Sequence, residues 1–164
     1  MSKPLNIIIG PENTKVNVFL LQKEHIDRVY ELELASYPDA WAKELFFPEI
    51  GDKGGNFFVF FINDELMGYA GYWIGFEEAH ITKFTVAPEY RRKGFGTLFM
   101  NFIFEQARKK NVQKIVLEVR EKNYAARRLY EKMGFQTIGT RYGYYSKTRE
   151  NAVVMIRYLH NLPE

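Results

Sequence analysis

Apolar residues along the chain form short strand-like runs at first, and strand-like and helix-like runs then alternate. Val16 to Leu21 reads as a first strand, and the arm before it can add a short one at Ile7 to Ile9. Gln22 to Ser36 places Ile26, Val29, Tyr30 and Leu34 near helical spacing, so a helix is predicted there, stopped by Pro38. A second short helix is expected over Trp41 to Phe47. Phe57 to Ile62 is a continuous apolar run that meets Asn63-Asp64, the pattern of a buried strand and a turn. Leu66 to Ile74 and Ala79 to Val86 supply the next two strands.

Lys93-Gly94-Phe95-Gly96 opens a helix that runs to about Lys110, with Leu98, Phe99, Phe102, Ile103 and Ala107 on one broad face. Lys114 to Val119 is short and β-branched, hence a strand. Asn123 is placed to cap a helix ending at Met133, and Gly134 stands at the left-handed stop position. Phe135 to Ile138 and Ala152 to Leu159 close the chain as strands joined by a tyrosine-rich loop. The order β-α-α-β-β-β-α-β-α-β-β puts antiparallel strands first and a β-α-β unit after them. It predicts an α/β (α+β) fold, a single domain over residues 1–164 with 1–15 as an N-terminal extension. Its sheet should be mixed, of six to seven strands, with helices on both faces.

Composition then removes whole classes of chemistry. The 164 residues include no cysteine, which excludes disulfides, a thiolate zinc site and a cysteine nucleophile. His25, His80 and His160 lack the spacing of a metal motif, so no metal is expected. The net charge of +3 comes with basic clusters at Arg91-Arg92-Lys93, Arg108-Lys109-Lys110 and Arg127-Arg128. The last two read as solvated helix faces. No basic stripe or nucleic-acid module is present, so nucleic acid is not an expected partner. No apolar run approaches the ~20 residues of a membrane span, and the N-terminal segment lacks a signal-peptide layout. A cytoplasmic protein without membrane association, a monomer or weak dimer, is the expectation.

The first basic cluster differs because glycines follow it. Between the strand end at Val86 and the helix start near Gly94, Arg91-Arg92-Lys93-Gly94-Phe95-Gly96-Thr97 places unpaired helix-start N–H groups beside cationic side chains. Glycine lets an anion approach that backbone, so the turn suits a phosphate or pyrophosphate. A Walker A loop is ruled out, since Thr97-Leu98 follows the last glycine where Lys-Ser/Thr is required. A Rossmann fingerprint is ruled out by Phe99 at its final glycine position.

Arg91-x-x-Gly94-x-Gly96 after Val86-x-Pro88 resembles the acetyl-CoA loop of the GNAT superfamily of N-acetyltransferases. Leu117-Glu118-Val119-Arg120, Asn123, Ala126, Leu129-Tyr130 and Gly134-Phe135 are similar to the ribosomal-protein-alanine N-acetyltransferases and their archaeal N-terminal acetyltransferase relatives. Arg141-x-x-Tyr144-Tyr145, Glu150-x-Ala152 and Met155 continue that pattern, and Pro38 and Trp41 resemble it more loosely. The chain departs from it in Phe84-Thr85, where Ile-Ala is usual, and in the N-terminal arm.

The resemblance implies acetyl-CoA as co-substrate. Phe84, Thr85 and Val86 would pair with its pantetheine arm, and Arg92, Lys93, Gly94, Phe95, Gly96 and Thr97 would hold its pyrophosphate. Asn123 would add a contact, or simply cap its helix. Glu118, a carboxylate in an apolar strand, would be the general base, through water; the alternative is a pairing with Arg120 or Lys122. Tyr130, two helical turns after Asn123, would be the acid that protonates the departing thiolate; the alternative is packing. His80 matches a histidine with a share in base chemistry, although a solvated strand-end histidine is the favoured reading. Trp41, Tyr144 and Tyr145 would line the peptide side; the alternative for the two tyrosines is packing within a hairpin. The implied acceptor is a protein N-terminus, such as that of a ribosomal protein. The alternatives are a small-molecule amine or lysine, and a non-catalytic acyl-CoA-binding domain.

Overall fold

In chain order the elements are β1 (Asn6–Ile9), β2 (Lys15–Leu20), α1 (Ile26–Ser36), β3 (Phe57–Ile62), β4 (Glu65–Gly75), β5 (Glu78–Val86), α2 (Phe95–Lys109), β6 (Lys114–Arg120), α3 (Tyr124–Lys132), β7 (Gln136–Tyr145) and β8 (Glu150–Tyr158). They are taken from a computed structural model, which describes residues 3–51 and 55–159. The strands form a mixed eight-stranded sheet in the order β1-β2-β3-β4-β5-β6-β8-β7. The count exceeds the six to seven expected because the arm strand does form, pairing with β2 from Asn6↔Val18 to Ile9↔Lys15. Two compact units make up the chain. One holds the segments up to Gly71 and Lys83–Leu98, the other Tyr72–Thr82 and the segments from Phe99 on.

The first unit is built on β3. Its residues Phe57 to Phe61 are each at most 2% exposed, and successive strand residues face opposite ways, so both faces are covered. Phe19, Leu21, Ile26, Val29, Phe46, Phe57, Val59, Phe61 and Tyr69 form its core. Two sequence expectations are corrected here. The helix expected from Gln22 starts at Ile26, because Lys23–His25 is a 3₁₀ turn whose His25 Nδ1 accepts the Gln22 N–H at 3.0 Å. On α1 it is Glu33 that is fully buried, while Leu34 is 55% exposed. The helix expected over Trp41 to Phe47 is a 3₁₀ segment, Lys43–Glu49, with Pro48 inside it and Phe46 alone buried. Proline removes the N–H that an α-turn needs.

In the second unit β6 runs parallel to β5, with Glu78↔Lys114, Ala79↔Ile115 and His80↔Val116 paired, and antiparallel to β8 from Lys114↔Tyr158 to Arg120↔Ala152. The tyrosine-rich stretch is strand and not loop. β7 continues to Tyr145 by passing two register shifts, between Thr137 and Gly139 and between Arg141 and Tyr145. The short helix α3 is closed at both ends. Asn123 Oδ1 accepts the Ala126 N–H at 3.2 Å. At the C-terminus Phe135 N–H donates to the Tyr130 carbonyl at 2.9 Å and Gly134 N–H to the Glu131 carbonyl at 3.0 Å, the paired bonds of a Schellman motif. Its apolar contact is Tyr130 against Phe135, edge to face at 5.8 Å.

Gly134 sits at φ +91, and a Cβ there would lie 2.8 Å from Arg157 Nε. Gly134→Ala is expected to destabilise the protein by roughly 1–2 kcal/mol from left-handed strain alone. Urea unfolding of the variant measures this; an unchanged midpoint contradicts the assignment.

Candidate active site

In the first unit the end of β5 and the turn after it are tied down residue by residue. Thr85 is buried, and its hydroxyl lies 2.6 Å from the Tyr37 hydroxyl, which donates to the Phe84 carbonyl at 3.2 Å. Ala87 N–H donates to the Met67 carbonyl at 2.7 Å, and Arg91 Nε to the Val86 carbonyl at 2.8 Å. The Tyr90 hydroxyl is bonded to Glu65; burial and that bond push its phenol up to about 12. Beyond this pinned turn the backbone is left-handed at Arg92 (φ +61) and Gly94 (φ +90), and α2 begins at Phe95. Arg91, Arg92, Lys93 and Gly94 are exposed, whereas Phe95 is buried and has only its backbone to offer a ligand. First-turn N–H groups have no intrahelical acceptors, and turn geometry of this kind gathers them into an anion-binding concavity.

Beside that turn lies a charge cluster that the apolar pattern did not reveal. Glu33 is fully buried and pairs with Lys83. Its carboxylate also accepts the Tyr69 hydroxyl at 2.6 Å and the Trp41 N–H at 2.9 Å. The Lys83 ammonium lies over the rings of Tyr37 at 4.7 Å and Trp41 at 4.6 Å. Burial first, then the Glu33 charge, push the Tyr69 phenol far above its usual range, so it stays a donor. One signal was available: Ile26, Val29 and Glu33 follow an i, i+3, i+7 stripe, and a charge on such a stripe requires a partner.

In the second unit Glu118 is bound to His80, Nε2 to Oε2, and lies 3.9 Å from Arg141 Nε. Its side chain is 7% exposed and that of His80 41%. Arg120 reaches Glu150 at 3.3 Å and lies over the Tyr145 ring at 4.0 Å. His80 is thus solvent-accessible but paired, not a free strand-end histidine. The hydrogen bond to Glu118 raises its pKa above the usual value, against a lowering by burial. Tyr144 stands close enough for burial and then the Glu118 charge to raise its phenol, and it meets Tyr145 edge to face at 5.1 Å. Asn123 acts as the cap of α3, and Tyr130 is buried on the same helix. Among the described residues no cluster of His, Asp or Glu could hold a metal ion, and no helix is long and apolar enough to cross a membrane.

A strand end, a pinned turn and a helix start with N–H groups free of intrahelical acceptors are the features of a loop suited to a phosphate or pyrophosphate. The chain belongs to the GNAT family of acetyltransferases, whose model matches residues 26–135. It is an acetyl-CoA-dependent N-acetyltransferase. A [ribosomal protein bS18]-alanine N-acetyltransferase of Haemophilus influenzae is 36% identical over 136 residues, covering 81% of this chain and 92% of that protein. The crystal structure of the ribosomal-protein-S18-alanine N-acetyltransferase from Escherichia coli matches with a TM-score of 0.79 at 25% identity, covering 91% of this chain and 97% of that one. Ard1 from Thermoplasma volcanium matches with a TM-score of 0.82 at 26% identity, covering 89% and 99%.

Removing one partner of a buried ion pair leaves the other charge uncompensated. Lys83→Met is therefore expected to cost about 3 kcal/mol or more, and Glu33→Met in the same chain to restore most of it. Additive losses in denaturant unfolding of the two single variants and the double variant would show that the pair is not coupled.

Proposed function

We propose that residues 1–164 act as one domain that acetylates the N-terminal α-amino group of a protein, of the ribosomal-protein-alanine type, in the cytoplasm where such an acceptor is made. The observation that carries this reading is the His80–Glu118 pair beside Tyr144. The relatives named for ribosomal-protein-alanine acetylation support it along most of the chain.

Acetyl-CoA supplies the activated acyl group. Arg92 to Thr97 hold its pyrophosphate through backbone N–H groups and the Arg92 and Lys93 charges, with Asn123 as a further contact. Phe84, Thr85 and Val86 offer backbone groups to the pantetheine arm and N–H donors where negative charge develops on the carbonyl oxygen. Trp41, Tyr144 and Tyr145 line the acceptor side. His80 Nε2–H donates to Glu118, which leaves Nδ1 as the basic nitrogen of the pair. That pair takes the proton from the acceptor ammonium, and Tyr130 gives one to the departing thiolate.

The pH–rate profile tests these roles. The base works only when deprotonated, so kcat/KM falls as pH drops through the pKa of the pair. Glu118 raises that pKa, which places the acid limb above the ordinary histidine value of about 6.5. Glu118→Gln should lower the rate and move the limb down. Tyr130→Phe should lower turnover roughly 10²-fold and leave the limb in place. A limb that stays where it was in Glu118→Gln, with chemistry limiting, removes the pair from the mechanism.

The acceptor follows from proton affinity as well as from similarity. An α-amine has a pKa of about 7.7–8.0 and a lysine about 10.4, so the α-amine is neutral roughly 10²- to 10³-fold more often. An imidazole–carboxylate base suffices for the first. A peptide with a free N-terminus and an internal lysine should carry the acetyl group on the α-nitrogen, located by fragmentation mass spectrometry. Acetyl found mainly on lysine, or only on an added polyamine, refutes the proposal.

A further inference from the structure

The N-terminal arm precedes the segment that the family model covers, and none of the roles above uses it. It forms the β1–β2 hairpin, whose turn is unusual. Glu12 and Asn13 are both left-handed, at φ 55 and φ 59. Two successive non-glycine residues in that region are strained and persist only when their surroundings hold them. Three bonds close this turn: Gly10 N–H to the Thr14 carbonyl at 2.8 Å, Thr14 N–H to the Pro11 carbonyl at 3.0 Å, and the Thr14 hydroxyl to the same carbonyl at 2.6 Å.

The turn is seated on the start of α2. A Cβ at Gly10 would lie 2.8 Å from Leu98 Cδ2 and 3.1 Å from Phe95 Cε1. Gly10 has φ −103, which any residue adopts, so close approach alone calls for glycine there. One residue on, Pro11 Cγ lies 3.1 Å from where a Cβ of Gly94 would stand. Phe95 also meets the Tyr90 ring edge to face at 5.8 Å. Gly94 and Phe95 therefore have the arm's stiff Gly10-Pro11 step packed against them.

We infer that the β1–β2 turn braces the acetyl-CoA loop, with Gly10 and Pro11 as positioning residues that set the loop's affinity for the cofactor. The inference rests on the reading of Arg92 to Thr97 as the pyrophosphate site. The brace fixes the backbone whose N–H groups meet the anion, so it acts on cofactor binding and leaves acceptor binding and proton transfer alone. Coupling of this kind is reciprocal: acetyl-CoA must also steady the arm.

Gly10→Val pushes on Leu98 and Phe95, and Pro11→Ala removes the ring beside Gly94 with less risk to folding. In both, the Kd for acetyl-CoA by calorimetry and its KM should rise about tenfold, in the range of a 1.4 kcal/mol change. The peptide KM, and kcat at saturating acetyl-CoA, should stay within about twofold, a split that general loss of structure does not produce. In the unmodified protein, acetyl-CoA should slow hydrogen exchange over residues 6–14. Folded variants with a lower Tm and an unchanged acetyl-CoA Kd overturn the brace. Arg92→Ala separates the two ideas in the same assay. If it weakens acetyl-CoA while the arm variants do not, only the brace fails. If none of the three weakens it, the pyrophosphate reading fails and the brace with it.

Discussion

A carboxylate removed from water must be met by a cation or by donors, because its unpaired burial costs several kcal/mol. Among the described residues Glu33 and Glu118 both meet that constraint, and β5 supplies the cation or donor each time. Glu33 of α1 takes Lys83, the Tyr69 hydroxyl and the Trp41 N–H. Glu118 of β6 takes His80. The first set ties α1, the segment leading to the 3₁₀ turn, β4 and the end of β5 to one carboxylate. The Tyr37 and Trp41 rings then cover the Lys83 charge, and the Tyr37 hydroxyl reaches the Phe84 carbonyl. The conformation of the strand end before the loop thus follows from the need to satisfy Glu33.

Exposure separates the two pairs. Lys83 is 10% exposed and Glu33 fully buried, so that pair meets little solvent and serves the fold. At Glu118 the side chain is still 7% exposed, and the imidazole is 41% exposed. A buried anion that holds an accessible titratable ring stabilises the ring's cation and still lets its proton exchange. The same electrostatic rule thus yields a scaffold in one place and, in the function proposed above, an acid–base group in the other.

Much of the fold was legible because its signals are local. Phe57 to Ile62 read as a buried strand, and Asn123 and Gly134 marked the ends of α3 through their own backbone chemistry. Glu118 stood out as a carboxylate among apolar strand residues. Its partners did not, since His80 and Arg141 are distant in sequence and no periodicity encodes a tertiary pair. Leu34 was counted with the helical spacing of α1, while three polar contacts make Glu33 a residue that is buried there. The tyrosine-rich segment read as a loop because its glycines mimic breakers, whereas the strand passes its irregular positions by register shifts. Gly10 gave no sign in sequence: its reason is a neighbour, Leu98, far along the chain.

The acid proposed here depends on the same local chemistry that ends its helix. A nine-residue helix is marginal in isolation, so its end contacts contribute a large share of its order. Tyr130 lends its carbonyl to the Schellman motif and its ring to the motif's apolar contact with Phe135. Main chain and ring are both committed to the stop, and the hydroxyl at the far end is carried wherever that stop places it. Misplacement of a reacting group by about 1 Å can lower a rate 10²-fold. If Tyr130 is the acid, a disturbed helix end therefore acts on catalysis through the position of the phenol, even where its chemistry is unchanged. In α3 the stop signal and the proposed acid belong to one device.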